Sequence, residues 1–181
     1  MKTFCIAISA MVVLGASSLH AQMTRATFGP EQQKLSFLVG TFTTSTEILM
    51  RDNNTTSNGH MKAYWGLDSL FVFMSASEET PAMGRFENFG VLGYDSQKDE
   101  YVLSMFNNYG TRPQFTGHFV GDTLVMRSHM ETPRGPLDQE IRWYSSDKVV
   151  RMQVLNDFGQ GSVLMVDQTL TPATDANMIK K

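Results

Sequence analysis

The sequence predicts an all-β fold: a single antiparallel meander barrel of about ten strands with one short N-terminal helix. Three observations predict it. From Thr41 onward, short runs rich in Val, Phe, Tyr, Thr and Met alternate with turn clusters such as Asp95-Ser96-Gln97-Lys98 and Gly121-Asp122, the rhythm of hairpin-connected strands. Within the runs, apolar and polar residues separate onto opposite faces, as a half-buried sheet requires. An open sheet of ten strands would leave two long unpaired edges, which closure into a barrel removes. Composition agrees: of 181 residues, 41% are hydrophobic, 10% aromatic and 18% charged, which excludes a disordered chain. Fifteen Lys and Arg against eighteen Asp and Glu leave a formal charge of −3, with no basic footprint for nucleic acid.

The elements follow in order. Met1-Lys2, an apolar run from Phe4 to about Ala16 and a small residue at Ala21 read as a signal peptide cut between Ala21 and Gln22. The run is too short to span a bilayer, so the protein is not membrane-spanning and is expected in the periplasm or secreted. The single cysteine, Cys5, lies in this leader, so the working chain has neither a disulfide nor a Cys-based zinc site. Residues 22–181 then form one domain, of a size that a hydrophobic core can stabilise without covalent support.

Pro30 suits the first position of a helix. Leu35, Phe37 and Leu38 face roughly one side, and Gly40 ends the helix, which is expected over Pro30–Leu38. Strands are expected at Thr41–Met50, Gly59–Leu67, Ser69–Ser77, Phe86–Tyr94 and Tyr101–Asn108. The second half repeats the rhythm at Gln114–Val120, Thr123–Met130, Leu137–Tyr144, Lys148–Asn156 and Ser162–Thr171.

Three hairpins test the barrel, because cross-strand partners share a face. A Gly121-Asp122 turn pairs Val120 with Thr123, which puts Phe115, Gly117, Phe119, Leu124, Met126 and Met130 on one face and His118, Arg127 and His129 on the other. A Ser145–Lys148 turn pairs Trp143 with Val150 and Ile141 with Met152, leaving Glu140, Arg142, Arg151 and Gln153 as a solvated ladder. The third hairpin pairs Leu92 with Leu103, Gly90 with Met105 and Asn88 with Asn107. Its other face carries Phe89, Val91, Val102 and Phe106, so one face needs a cover, for which the N-terminal helix is available.

Leu35-Ser36-Phe37-Leu38-Val39-Gly40-Thr41-Phe42 resembles the helix-to-strand entry of small lipocalin-like proteins. Gly90-Val91-Leu92-Gly93-Tyr94-Asp95, followed by Glu100-Tyr101-Val102, resembles the Gly-Tyr-Asp hairpin of an uncharacterised bacterial family of that kind, with a secreted branch. That family usually carries Trp where this sequence has Phe42, another large aromatic. The resemblance implies a calycin-type barrel with a central cavity, and it implies no activity, because a fold does not carry one.

The chemistry-bearing residues are sparse. Beyond the leader, His60, His118 and His129 lack any His-x-His or Glu-x-x-His spacing, so no metal site is expected. A lone His on a barrel wall can ligate haem, and His118 or His129 would be the residue, but the expectation is no cofactor. No Gly-x-Ser-x-Gly occurs, and catalysis by His118, Arg127, His129, Glu140 or Arg142 would need them inside, where periodicity does not put them. Trp65, Met105, Phe119, Met126 and Trp143 fall on inward faces, and Met adapts to irregular apolar shapes. Asn88 and Asn107 share that face: buried, they would bond each other, water or a ligand, and at strand ends they would meet solvent. We therefore expect a binder of a small, largely apolar molecule, with Trp65, Asn88, Met105, Asn107, Phe119, Met126 and Trp143 as its candidate residues. A cavity enzyme (isomerase or hydrolase) and an envelope protein-interaction module are the alternatives.

Overall fold

The computed structural model describes residues 25–50, 54–81, 84–133 and 135–174. The expected leader, its cleavage site and the end of the C-terminal tail lie outside them. One turn of α-helix, α1 (Pro30–Gln33), runs into a 3-10 turn over Lys34–Leu38, so the expected helical segment is present but tightens half-way. Gln32 Oε1 accepts the Gly29 N–H at 3.0 Å and so holds the helix entry.

Ten strands follow: β1 (Gly40–Ile48), β2 (Thr55–Gly66), β3 (Phe71–Thr80), β4 (Gly84–Asp95), β5 (Glu100–Asn107), β6 (Gln114–Val120), β7 (Thr123–Thr132), β8 (Gly135–Ser146), β9 (Val149–Asp157) and β10 (Val163–Pro172). Each pairs antiparallel with its neighbours in sequence, and β1 pairs with β10 from Phe42↔Pro172 to Ile48↔Val166, closing the barrel. Among the described residues, no helix is long and apolar enough to cross a membrane.

Turn chemistry sets the registers. Gly121, at φ 59°, begins the two-residue turn that pairs Val120 with Thr123, as glycine does at the first position of a type II′ turn. Leu92↔Leu103, Gly90↔Met105 and Asn88↔Asn107 pair as the sequence predicts. The β8–β9 hairpin differs. Asp147 and Lys148 both take positive φ (49° and 70°) and form the turn alone, so Ser146 pairs with Val149 and Trp143 with Met152. The two-residue shift keeps every side chain on its expected face.

The helical segment plugs one end of the barrel. Leu35 and Leu38 are fully buried against the floor residues Leu92, Leu124, Met126 and Leu170, which are fully buried too. Each such leucine contributes about 1.5–3 kcal/mol by leaving water. Phe37 and Tyr101 meet the Phe119 ring edge-on, at centroid separations of 6.4 and 5.3 Å. The helix therefore seals the inner face of the β4–β5 hairpin at its floor and does not cover the outer one. On the outer face, Phe89 and Phe106 stay 38% and 44% exposed. The outer aromatics pack on one another and on glycines instead. Tyr64 stacks on Phe73, Phe73 touches Phe89, and the rings of Phe73 and Phe71 occupy the space where Gly66 and Gly93 lack a Cβ.

The plug is pinned by one polar contact. Tyr101 Oη donates to Glu31 Oε2 at 2.7 Å and to the Glu31 carbonyl at 3.0 Å, and Lys34 pairs with the same carboxylate at 2.8 Å. Burial and the bond to Glu31 push the Tyr101 phenol well above its ordinary value. Hydrogen bonds from Lys34 and Tyr101 hold the Glu31 carboxyl below the usual carboxylate range. A carboxyl whose folded value lies below its unfolded one stabilises fully above the unfolded value, and that contribution is lost as pH falls through the folded value. Wild type should therefore melt above Glu31→Gln at neutral pH, and the gap should close in acid; parallel thermal melts across that range check it.

Candidate functional site

The two ends of the barrel differ. The strand ends opposite the helix enclose a cavity of about 1010 Å³ that opens to solvent. Its wall is largely apolar, with Met61, Met74, Leu103, Phe115, Trp143 and Met152 among the lining side chains. The opening continues down one side. β6 and β7 pair only from Thr116↔Arg127 to Val120↔Thr123, so β7 runs on from Ser128 without a β6 partner. Pro113 and Gln114 flank this gap on one side, and Ser128 and Met130 on the other.

Of the seven candidate residues, the structure brings Asn88, Met105, Asn107 and Trp143 together on the cavity wall. Trp65, Phe119 and Met126 point inward but belong to the plugged end. Trp65 meets Phe28 edge-on at 5.5 Å, Phe119 packs under Phe37 and Tyr101, and Met126 is fully buried in the floor. The side chain of Asn107 is used locally. Its Nδ2 donates to Thr111 Oγ1, and its Oδ1 accepts the N–H groups of Tyr109 and Thr111, which ties down the β5–β6 loop.

His118, Glu140 and Arg142 alternate with the buried residues of their strands, and Arg127 and His129 are exposed in the row of Val125, which is itself buried. Glu140 bridges Arg127 and Arg142 at 2.7 and 2.6 Å. His129 Nδ1 lies 2.6 Å from Asp138, and that contact, with Glu131 nearby, raises its pKa. Of the five, Arg127 and His129 line the cavity as exposed residues, both already paired with carboxylates, whereas His118, Glu140 and Arg142 do not line it. Among the described residues, no three His, Cys, Asp or Glu side chains are grouped to hold a metal ion.

The inward ionisable group is Glu78, which sequence reasoning passed over. It is 8% exposed and lines the cavity. Glu78 Oε1 accepts from the Thr44 and Thr46 hydroxyls, each at 3.0 Å, and from Gln168 Nε2; Oε2 accepts from Ser57 at 2.8 Å. Gln168 Nε2 also donates to Thr46 Oγ1 at 2.8 Å. The signal was present in the sequence, because Glu78 continues the inward row Val72, Met74, Ala76 of β3. Ending that strand at Ser77, and starting β2 at Gly59, left Glu78 and Ser57 outside the pattern.

Cross-strand register explains how a charged side chain reaches these partners. Thr44 pairs with Gly59, and Gly59 with Glu78, so Gly59 is the empty place in the inward row that Glu78 crosses. A Cβ there would lie 2.6 Å from Glu78 Cγ and 2.2 Å from the Ser77 carbonyl oxygen, and backbone cannot yield as a flexible side chain can. Gly90, two strands further round on β4, would bring its Cβ only to 3.4 Å from the ends of Leu103 and Met74. Gly59→Ala should therefore cost about 1–3 kcal/mol, whereas Gly90→Ala should be neutral or stabilise by up to roughly 1 kcal/mol. Urea unfolding of the two variants checks the contrast.

Comparison with known proteins supports the architecture. The chain is similar in fold to the protein in "Crystal Structure of Rv2717c from M. tuberculosis", with a TM-score of 0.59 and 14% sequence identity over 81% of this chain and 99% of that one. At that identity the likeness speaks for the fold alone. No curated protein matches the sequence. The model of the family described as "Protein of unknown function (DUF1579)" matches residues 27–165, and the chain belongs to that family.

Proposed function

We propose that the protein binds a small, largely apolar molecule inside the barrel, in the manner of lipocalin-like carriers. The observation that carries this reading is the cavity of about 1010 Å³ between an apolar wall and an open strand end. Small-molecule sites are concave, mostly apolar and equipped with a few fixed polar groups, and this wall has that make-up. Core packing alone accounts for the plugged half, where Leu35, Leu38 and Met126 leave no exposed surface. At the other end Met61, Met74, Met105 and Met152 belong to or pack against the same core and also line open volume. The leader-like N-terminal sequence supports a periplasmic or secreted binder in this reading, one that would act without cysteine chemistry.

Native mass spectrometry of the gently purified chain, together with the fluorescence of a neutral apolar dye such as N-phenyl-1-naphthylamine, tests the reading. Dye binding or a co-purifying small molecule is the expected result. Gly90→Leu should weaken dye binding by about tenfold or more while the barrel stays folded, because the added side chain projects past flexible Leu103 and Met74 ends into the cavity. A folded wild type that takes up neither dye nor any small molecule would refute the proposal.

A further inference from the structure

We infer that the molecule held in this cavity carries a positively charged nitrogen, a protonated amine on an apolar body, and that Glu78 is the residue that recognises it. The inference rests on the binding reading above and specifies its ligand. Four features support it.

First, Glu78 is the buried carboxylate on the cavity wall, and its partners are all neutral: three hydroxyls and one amide. No Lys, Arg or His pairs with it among the described residues. Hydrogen bonds from neutral groups position a carboxylate but leave its net charge in place. An unpaired charge in a low-dielectric wall is costly, and an entering cation relieves that cost.

Second, the bonds are unevenly shared. Oε1 receives three donors and Oε2 one. A carboxylate offers about four acceptor sites over its two oxygens, so the remaining capacity lies on Oε2. Two residues along the inward row from Ser57, the buried Thr55 hydroxyl has no hydrogen-bond partner among the described residues. This wall therefore has unmet hydrogen-bonding capacity on the side that the carboxylate dominates.

Third, the topology aims the cavity at this wall. In the strand circuit β1-β10-β9-β8-β7-β6-β5-β4-β3-β2, the gap between β6 and β7 lies half-way round from the β1–β2 pair. Thr44, Thr46 and Ser57 stand on that pair, and Glu78 reaches onto it from β3 across Gly59. A molecule entering through the gap passes Arg112, Arg127 and His129, the last two paired with Glu140 and Asp138, and meets this cluster on the far wall, with Met and Trp side chains along its length.

Fourth, the cluster is built for one arrangement. Thr46 accepts from Gln168 while donating to Glu78, so the carboxylate is held by a connected network and need not reorganise when a ligand arrives. Preorganised acceptors of this kind favour a donor of matching charge over an uncharged one.

The test compares three probes with the same ten-carbon chain, decylammonium, decanol and decanoate, displacing N-phenyl-1-naphthylamine from the full-length wild-type protein at neutral pH. Decylammonium should displace the dye at a concentration at least about tenfold lower than either of the others. Glu78→Gln, which keeps the shape and removes the charge, should abolish that preference while still binding the dye. Decanol or decanoate displacing as well as decylammonium from wild type would overturn the inference, whatever the variant does, and would leave apolar binding standing. Preference for decylammonium retained in folded Glu78→Gln would also overturn it. Should Glu78→Gln fail to fold, the wild-type ranking decides. If wild type binds no dye, the binding reading itself falls, and the inference with it.

Discussion

The structure depends on a single closure. β1 joins β10 through the ladder from Phe42↔Pro172 to Ile48↔Val166, which leaves the stretch of β7 beyond Arg127 as an open edge among the described strands. Closure also forces a choice of inside and outside on every strand, since side chains alternate with period two. Once Leu92 and Leu103 face inward as partners, the parity of the meander is set as far as the bulge between Leu164 and Val166 on β10. The rows of Thr44 and Thr46, of Met61 and of Trp143 follow. Even the shifted β8–β9 hairpin obeys, because a two-residue slip preserves parity.

Within that frame the two ends of the barrel have opposite characters, and the helix decides which is which. The short helical segment is too brief to be stable alone; it persists because Leu35 and Leu38 are wholly buried in the floor and Tyr101 holds Glu31. The seal fills one end with packed side chains. Among the described residues the other end has no equivalent plug, and the shortness of β6 leaves the wall open beside β7. Space for a ligand is therefore a consequence of where the packing stops.

Burying Glu78 is the costliest feature of this arrangement. Four residues from β1, β2 and β10 are committed to it, and Gly59 gives up a side chain so that the carboxylate can reach Thr44. A barrel of this size could fill that wall with Val or Leu and be at least as stable. On the proposal above, the charge is kept there for recognition rather than for folding. The outer charges work differently: Arg127, Glu140 and Arg142 form an exposed ladder, and ladders in water contribute little.

Local chemistry determined most of the architecture. Alternation within each run, Gly121 at a two-residue turn and Pro30 before an apolar helical face suffice to read ten strands, their faces and one helix from the chain. The same alternation places Trp65, Phe119, Met126 and Trp143 inward. It cannot say at what height along the barrel each one sits, and height separates the plugged floor from the cavity. Nor could it rank Asn107 as a loop tie, since that role depends on how the segment to Thr111 folds back. Glu78 lay just past an assumed strand end, in phase with Val72 and Met74, so its inward direction was legible; its partners were not. Thr44, Ser57 and Gln168 are separated from it by 34, 21 and 90 positions. What the sequence determined by itself is the period-two pattern, because side-chain direction in a strand is a property of neighbouring peptides. What the tertiary structure alone decided is which inward residues share a cavity and which share a bond, because those contacts exist only after β1 has met β10 and the helix has chosen an end.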